Sequence, residues 1–577
     1  MMDLSYEQSR PVADLGNIHV VSIPGSGKTR VIIAKVKVML ANGLTGIYLV
    51  TFTNKSADEM KERLISECGK SALEDVTIST FHSLMINHFQ KYLPSYKLLT
   101  PEDKTSILHD IFVKHVKGHE GFSQFEDYVS SSNKSGNELF EQMNEEYKKY
   151  LHGKKNNTLD NIVSIGVQLM EKGELPIFDC DYLMVDEFQD TDIDQIKLII
   201  IQGKMGINIT TVGDDDQSIY GWRNALGYKG FKLLEKNLNS RQYMLSTNYR
   251  SKSEILTPAF TMIANNKYRI EKSVKCQKGL GGRLVHYHFP TRVDEAEFIV
   301  QEIQKESNIN TMILARTNAN LSYVETELIA HNLSYEKAGG AKYFQNTPCH
   351  LFLSTLRSID GNSEHGTQRM LDILFNGQDG DRVEVSAIHS KSKPPSSLTP
   401  RQQAAFNGIS NAYTYLKAFQ IDRALDELSE SLSIELEFLG YKFWERIPDL
   451  AQCLQRLPGN LTQRLAVFNQ QTKEVESNIK LMTMHSSKGL ESDRVFITCF
   501  SNKIIPSTRV NKGVDPTEHV EEERRLAFVA ITRGKKEVIL TSCENSDARK
   551  GWFGPSQFID ELGEIETHDY SKDKRKN

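Results

Sequence analysis

The feature that most constrains the fold of this chain is a glycine-rich segment, Ile23–Thr29 (IPGSGKT). It follows a short apolar run, Ile18–Val21, that predicts a buried strand, and it leads into Lys28–Leu40, where apolar residues recur at helical spacing. This order is typical of a phosphate-binding loop, in which backbone N–H groups and a lysine hold phosphates and a hydroxyl group ligates Mg²⁺. The strict pattern has glycine in place of Ser22, so the segment alone is also compatible with an ordinary strand–turn–helix junction.

The rest of the chain alternates between strand-like and helix-like segments, which predicts an α/β fold with parallel sheets. A first block contains the strand-like runs Ile47–Phe52, Val76–Ser79, Tyr182–Val185, Ile209–Val212 and Tyr243–Ser246. A second block begins near Gly281 and contains the runs Arg283–Tyr287, Thr311–Ala315, Ile479–Met484, Val495–Cys499 and Glu537–Thr541. In the first block we also expect Ser56 and Glu59 to form a capping box at the start of a helix.

Each block is interrupted by a segment of different character. Residues 88–173 are polar and helical in pattern, with charged stretches such as Glu145–Lys155. Residues 361–477 interrupt the second block and include Ser390–Pro400, whose proline and serine content favours a linker or an exposed loop. Two α/β blocks that each carry an insertion indicate a duplicated plan.

Composition excludes several classes of protein. The 577 residues are 39% hydrophobic and 25% charged, which is typical of a globular chain and excludes disorder as the main state. The 7 cysteines include no C-x-x-C pair, which argues against a structural zinc site and fits a reducing compartment. No stretch approaches the roughly 18 apolar residues of a membrane span, so we expect a cytoplasmic protein that has no membrane partner.

The charge balance limits how the chain can bind nucleic acid. It has 70 basic and 75 acidic residues, a formal net charge of -5. Overall basicity therefore cannot attract a polyanion, and any nucleic-acid binding requires a local groove. The short basic tail Lys572–Lys576 is interpreted as a solvated chain end.

Two adjacent carboxylates follow a strand-like run in Tyr182–Asp190 (YLMVDEFQD). Asp186 and Glu187 lie at the carboxyl end of that run, where open α/β sheets bind ligands. There, Asp186 is suited to hold Mg²⁺ and Glu187 to polarise an attacking water. A lone acidic pair would normally be a solvated strand end, but a phosphate-binding loop on the same sheet favours the catalytic interpretation.

A third cluster lies in Val212–Ala225 (VGDDDQSIYGWRNA), where Gln217 is followed by Tyr220, Trp222 and Arg223. Aromatic side chains beside an arginine in a polar loop can stack on exposed bases and hold phosphates. The alternative is that Tyr220 and Trp222 are anchors of the hydrophobic core.

Two arginines lie further along the chain, Arg250 in the segment STNYR and Arg533 in VAITR. An arginine supplied across a cleft can stabilise charge on a transferred phosphoryl group. Arginines in unrelated surroundings are normally surface residues, however, and periodicity alone assigns neither of these a role.

Taken in order, these segments resemble the motifs of the UvrD/Rep-like branch of superfamily 1 helicases. The resemblance runs from about residue 4 to residue 545 and is carried by IPGSGKTRV, TFTNKSADEM, TFHSL, VDEFQDTD, GDDDQSIYGWR, LSTNYRS, TMHSSKGLE and EEERRLAFVAITRGKK. Leu4–Gln8, Ile313–Asn318 and Gly339–Phe344 also look like elements of that branch. The ordered series is far more specific than any one motif in it.

The resemblance implies two RecA-like domains with parallel sheets, each interrupted by a largely helical insertion, with ATP bound between them. The first domain is expected at residues 1–87 and 174–246, around an insertion at 88–173. The second is expected at 247–360 and 478–567, around a reduced accessory insertion at 361–477 and before a basic tail at 568–577.

The resemblance also implies an ATP site with Mg²⁺ as its metal. Glu187 would be the catalytic base, and the residues that contact the γ-phosphate would be Gln217, Arg250 and Arg533. The nucleotide would be held by Gln8 at the adenine edge, Arg30 and Tyr249 around its ring, Glu491 at the ribose, and the loop residues Gly25, Ser26, Gly27, Lys28 and Thr29. Thr29 and Asp186 would hold the metal.

The expected nucleic-acid partner is single-stranded or tailed double-stranded DNA. The positions that match the family's strand-contacting residues are Phe52, Thr53, His82, Tyr220, Trp222, Arg223 and His485. For His485, a purely structural role competes with this assignment.

The function implied is an ATP-dependent DNA helicase or translocase that moves 3′ to 5′ on single-stranded DNA, with the polarity taken from the resemblance alone. An alternative is a DNA-stimulated ATPase subunit of a larger complex, such as a Gabija-type anti-phage system that acts with a nuclease, which the reduced second insertion favours. A third interpretation, a scaffold that only binds nucleic acid, is disfavoured because Lys28, Asp186 and Glu187 are all present.

Overall fold

The computed structural model describes residues 4–116, 121–130, 137–338, 346–361, 363–375, 383–470, 477–510, 514–545 and 553–571. They form two compact units. The first contains the described residues of Met1–Gly282, Pro506–Thr532 and Glu561–Gly563, and the second those of Arg283–Ile505, Arg533–Asp560 and Glu564–Asn577. This division follows packing and does not test the domain boundaries expected from the sequence, which stay predictions. Gly339–Phe344 and Lys572–Lys576 lie outside the described residues.

The first unit is built on a six-stranded sheet in which all neighbouring strands are parallel. Across the sheet, the strands follow the order Val76–Thr80, Ile47–Thr51, Tyr182–Val185, Asn208–Gly213, Ile18–Ser22 and Arg241–Leu245. The sequence predicted each of them to within one or two residues at its ends. The predicted parallel α/β fold is therefore confirmed in this unit.

The strand register brings three carboxyl ends to one edge of this sheet. Val21 pairs with Gly213, and Val185 pairs with Thr211. The glycine-rich segment, the acidic pair and the aspartate-rich segment therefore all leave the sheet at the same edge, where ligands bind in such folds.

Helices surround the sheet. They span Tyr6–Ala13, Lys28–Ala41, Asn54–Cys68, Ala72–Asp75, Phe81–Tyr92, Pro101–His115, Phe122–Ser130, Glu138–Lys154, Ile162–Glu171, Ile193–Lys204, Tyr228–Leu238, Ser253–Ile263 and Pro516–Ile531. The predicted helical character of residues 88–173 is confirmed. The middle helices of this segment enclose a separate apolar cluster around Phe112 and Phe125. The last helix of the segment instead packs into the core beside the sheet through Ile162 and Val163.

The predicted capping box of Ser56 and Glu59 is wrong. The helix begins earlier, at Asn54, and its N-cap is Thr53, whose hydroxyl accepts a hydrogen bond from the Ser56 N–H at 3.0 Å. Thr53 is extended, with φ -126°, as is typical of an N-cap residue whose side-chain oxygen accepts from the first turn.

The second unit contains a seven-stranded parallel sheet. Across the sheet, its strands are Glu336–Lys337, Ile479–Thr483, Thr311–Ala315, Ser492–Ile497, Gly534–Asn545, Arg283–Thr291 and Glu566–Asp569. The five inner strands were predicted from sequence, and the two outermost were not. The parallel α/β fold is confirmed here as well.

The helices of the second unit fall into two groups. Those beside the sheet are Arg292–Lys305, Ser322–Ala330 and Gln557–Glu561. Those of the insertion are Thr347–Asp360, His365–Phe375, Val385–His389, Pro400–Lys417, Ile421–Phe438, Arg446–Arg456 and Leu461–Gln470. The insertion has its own core, which includes Phe352, Phe406 and Leu432. Within the described ranges, no helix is long and apolar enough to cross a bilayer.

Candidate functional site

The glycine-rich segment forms a tightly covered turn at the carboxyl edge of the first sheet. Gly25 and Gly27 have φ values of 66° and 85°, in the left-handed region that favours glycine. A Cβ on Gly25 would lie 2.7 Å from Arg250 Cβ, and one on Gly27 would lie 2.8 Å from Gln8 Nε2. Ser22 lies outside this turn, and its hydroxyl donates to the Gly213 carbonyl at 2.9 Å, so the departure from the strict pattern leaves the turn intact.

Three contacts from other parts of the first unit hold the backbone of the turn. Gln8 Nε2 donates to the Ser26 carbonyl at 2.9 Å, Asn248 Nδ2 donates to the Pro24 carbonyl at 2.7 Å, and the Tyr249 N–H donates to the Gly25 carbonyl at 2.9 Å. The structure therefore brings two predicted nucleotide-binding residues, Gln8 and Tyr249, to the turn. It also adds Asn248, which is fully buried.

Lys28, at the end of the glycine-rich turn, contacts the acidic pair Asp186 and Glu187. Lys28 Nζ lies 3.1 Å from Glu187 Oε2, and the Glu187 N–H donates to Asp186 Oδ1 at 2.9 Å. Glu187 has φ 50°, a left-handed conformation that is uncommon for a residue with a side chain. Burial raises the pKa of Asp186 to about 7, and the Glu187 charge adds to this shift while Lys28 opposes it. A buried carboxylate of this kind favours a bound cation.

The donors available near this edge fit Mg²⁺. Asp186 is buried and supplies a carboxylate, and Thr29, at the start of the helix after the turn, supplies a hydroxyl. The neighbouring Ser26 Oγ is buried and has no hydrogen-bond partner among the described residues. Hard oxygen donors beside phosphates are the ligands that Mg²⁺ prefers in proteins.

The aspartate-rich segment is fixed by a buried lysine. Lys272 Nζ lies 2.8 Å from Asp214, 2.6 Å from Asp215 and 2.7 Å from Asp216, and all four side chains are buried. Burial would lower the pKa of Lys272, but the three carboxylates outweigh that effect and raise it. The carboxylates are close enough together to hold a metal ion, yet the ammonium group already lies among them. Gln217 donates to Asp214 and is thereby fixed by this network.

Four predicted strand-binding residues form one aromatic cluster. The rings of Phe52 and Tyr220 stack with centroids 5.5 Å apart, and Tyr220 contacts Trp222 edge-on at 6.3 Å. The Arg223 guanidinium lies 4.5 Å from the Trp222 ring centroid. Trp222 is 53% exposed, so the core-anchor alternative is wrong for this residue. The cluster combines aromatic rings with a guanidinium group, the combination on which unpaired bases stack.

The other predicted residues of the first unit have separate contacts, except that Arg250 also lies against Gly25 of the turn. Arg30 is exposed, and Thr53 caps a helix. His82 is in the first turn of the helix Phe81–Tyr92. Arg250 donates through its backbone N–H to Asn248 Oδ1 at 2.9 Å and through its guanidinium to the Thr532 carbonyl at 3.2 Å.

Three predicted residues belong to the second unit. Arg533 is buried and donates to the Leu490 carbonyl at 3.2 Å, next to Glu491, which pairs with Lys535 at 2.7 Å. His485 starts a short turn at the carboxyl end of the strand Ile479–Thr483. The structure thus brings Arg533 and Glu491 together within this unit.

Sequence reasoning missed Gln189 and Asn248. Gln189 is fully buried, its Oε1 accepts from the Asp214 N–H at 2.9 Å, and its Nε2 donates to the Glu187 carboxylate. It therefore connects the acidic pair to the aspartate-rich segment. The only available signal was that both residues are polar and lie inside the motif segments VDEFQDTD and LSTNYRS.

Comparisons with known proteins agree with this geometry. The family described as UvrD/REP helicase N-terminal domain matches residues 4–238, and the UvrD-like helicase C-terminal domain matches residues 243–388 and 420–545. Relatives named ATP-dependent DNA helicase PcrA occur in Staphylococcus aureus (strain NCTC 8325 / PS 47) and in Staphylococcus epidermidis (strain ATCC 12228 / FDA PCI 1200). Each is 27% identical over 647 residues, covering 99% of this chain and 88% of the relative.

Proposed function

Because the chain belongs to the UvrD/Rep-like family of superfamily 1 helicases, we propose that it is an ATP-dependent DNA helicase or translocase that moves 3′ to 5′ along single-stranded DNA. One observation carries this proposal. The first unit combines a glycine-rich turn, in which Lys28 Nζ lies 3.1 Å from Glu187 Oε2, with an aromatic cluster whose Trp222 is exposed. The turn with Lys28 and Glu187 is suited to hydrolysis of a nucleoside triphosphate. The aromatic cluster is suited to binding unpaired bases.

The proposed hydrolysis depends on Lys28 and the acidic pair. Lys28 holds the β- and γ-phosphates, and Glu187 orients and polarises the attacking water. Thr29 and Asp186 would hold Mg²⁺, which would supply positive charge to neutralise the phosphates. Gln189 keeps the Glu187 carboxylate in place through its hydrogen bond.

The remaining nucleotide contacts are proposed as the family resemblance implies. Gln217, Arg250 and Arg533 contact the γ-phosphate. The other contacts are made by Gln8, Arg30 and Tyr249 at the adenine and Glu491 at the ribose. The position of Tyr249 supports this, because its backbone is bonded to Gly25 of the turn.

The strand is proposed to bind on the aromatic cluster. Phe52, Tyr220 and Trp222 stack on bases, and Arg223 holds a phosphate. Thr53, His82 and His485 are proposed as further contacts. Stacking on an aromatic side chain contributes roughly 1–3 kcal/mol per base, so each grip is firm but can be released in every ATP cycle. Stacking does not depend on base identity, which suits movement along any sequence.

Unwinding of tailed duplexes tests this proposal. The purified chain is given ATP, Mg²⁺ and either a 3′-tailed or a 5′-tailed duplex, with the Lys28→Ala variant as the control. We expect strand separation of the 3′-tailed duplex only, and none with the variant. Separation of only the 5′-tailed duplex would contradict the polarity. DNA-stimulated ATP hydrolysis without strand separation would favour an ATPase subunit that needs a partner, such as a nuclease.

A further inference from the structure

We propose that Glu522 is a positioning residue that couples the strand-binding loop to the helix Pro516–Ile531, and through it to the segment that carries Arg533. The inference rests on the proposed function. Its basis is a hydrogen bond between the Gly221 N–H, in the middle of the aromatic loop, and Glu522 Oε1 at 2.8 Å.

Gly221 lies between the two aromatic residues that are proposed to grip the strand. It starts a single tight turn, Gly221–Arg223, that follows Tyr220 and carries Trp222. A Cβ on Gly221 would lie 2.7 Å from Glu522 Oε2, so the carboxylate lies directly against Gly221. The Glu522 carboxylate therefore sets the position of the backbone between Tyr220 and Trp222.

Two more contacts join the same helix to this part of the chain. Arg525 Nε donates to the Ser218 carbonyl at 2.8 Å, on the near side of the aromatic residues. Lys229 Nζ lies 2.9 Å from Glu518 Oε1 on the far side, where both side chains are exposed. The Arg525 and Glu522 contacts thus hold the loop before and between the two aromatic residues, whereas the exposed Lys229–Glu518 pair contributes little.

The C-terminal end of the helix lies next to the two arginines that are proposed to contact the γ-phosphate, Arg250 and Arg533. Glu522 lies roughly 14 Å along the axis from Ile531. The next residue, Thr532, accepts a hydrogen bond from the Arg250 guanidinium at 3.2 Å, and Arg533 follows directly in the chain. A helix moves as a rigid element, so a displacement at its Arg250 end is transmitted to Gly221. Glu522 is where that displacement reaches the strand-binding loop.

The test compares variants by the oligo(dT) concentration that gives half-maximal stimulation of ATP hydrolysis. Glu522→Ala is expected to raise this concentration about tenfold, the loss expected for one hydrogen bond to a charged group. Glu522→Gln keeps an acceptor oxygen and is expected to restore most of the response. Glu518→Ala, one turn earlier on the same helix, is the matched control and is expected to respond like the parent, because exposed ion pairs contribute little.

A double-mutant cycle separates coupling from a loss of folding. Gly221→Ala places a methyl group against the Glu522 carboxylate and is expected to weaken the response to oligo(dT) by a similar factor. The Gly221→Ala/Glu522→Ala protein is expected to show no further loss, because the two changes disrupt one contact. Additive losses would overturn the inference, and so would a Glu522→Ala protein that responds like the parent.

The KM for ATP without DNA distinguishes coupling from general damage. We expect Glu522→Ala to shift this KM less than twofold. A shift as large as the DNA effect would overturn the inference in favour of a merely structural role. If the parent protein hydrolyses ATP but does not respond to oligo(dT), the proposed function fails and the inference fails with it.

Discussion

At the scale of single residues, a few hydrogen bonds around the acidic pair hold Glu187 in an uncommon backbone conformation. Glu187 adopts a left-handed backbone conformation, with φ 50°. Its N–H donates to the Asp186 carboxylate at 2.9 Å, and Gln189 donates to its side chain. Together these contacts aim the Glu187 carboxylate at the edge of the sheet where Lys28 lies.

Replacement of Glu187 by glutamine tests its role as the base. The amide keeps the size of the side chain but cannot accept a proton, so ATP turnover is expected to fall by about 10²–10⁴. Binding of a fluorescent ATP analogue is expected to stay within a few-fold of the parent. Glu174→Gln, at an exposed position, is the control. Parental ATP turnover in the Glu187→Gln protein would show that another residue is the base.

Replacement of Trp222 by alanine tests the aromatic surface. Loss of one stacking platform is expected to weaken binding of a labelled oligo(dT) by about 1–3 kcal/mol, or roughly 5- to 150-fold, in fluorescence anisotropy at fixed salt. Tyr150 is also exposed, at 39%, and lies on the helix Glu138–Lys154, outside the cluster. Tyr150→Ala is therefore the control, and equal losses in the two variants would argue against a specific strand site.

At the scale of secondary-structure elements, the sequence predicts the buried parts well. The strand Ile18–Ser22 is buried at every position, and its apolar residues Ile18, Val20 and Val21 identify it. The edge strand Glu566–Asp569 has no such pattern, because it is polar and mostly exposed and is held by backbone pairing with Arg283–Thr291. Strands of that kind cannot be predicted from hydrophobic periodicity.

The network around Lys272 joins two elements that sequence patterns do not connect. Lys272→Met would leave three buried carboxylates without their shared cation, which is expected to reduce the free energy of unfolding by about 3–5 kcal/mol. Lys229→Met removes an exposed ion pair and is expected to cost less than about 1 kcal/mol. Urea titrations of both variants measure this, and a stable Lys272→Met protein would show that the carboxylates are neutral or solvated.

Two histidines in the strand Arg283–Thr291 make the second unit sensitive to acid. His286 Nε2 and His288 Nδ1 both lie 2.8 Å from Ser542 Oγ, and burial lowers the pKa of His286 to about 4. The unfolded chain binds a proton near pH 6.5, whereas the folded chain does not, so stability falls as the pH drops from about 6.5 towards 4.

The expected loss attributable to His286 is about 2 kcal/mol between pH 7.5 and pH 5. Urea titrations at the two pH values measure it. His286→Gln is expected to lose this part of the pH dependence, because a glutamine side chain does not titrate. His365→Gln, at an exposed position in the same unit, is the control and is expected to keep it. If the free energy of unfolding of His286→Gln keeps the pH dependence of the parent, another residue must cause the acid sensitivity.

At the scale of the whole molecule, the motif series predicts the family and both sheets but not the contacts that organise the site. Because the formal net charge is -5, the strand surface that we propose is local and consists of Tyr220, Trp222 and Arg223. The contacts of Gln189, Asn248 and Glu522 involve residues up to hundreds of positions apart and depend on the folded geometry. No local pattern encodes such pairs, so they emerge only from the structure.

The proposed link between the glycine-rich turn and the aromatic cluster is tested by steady-state ATP hydrolysis of the purified chain, with and without single-stranded DNA and alongside Lys28→Ala. We expect strong stimulation by the DNA and its loss in the variant, because Lys28 is proposed to hold the phosphates and the aromatic cluster to bind the strand. Hydrolysis that does not respond to DNA, or stimulation that survives in Lys28→Ala, would contradict this link.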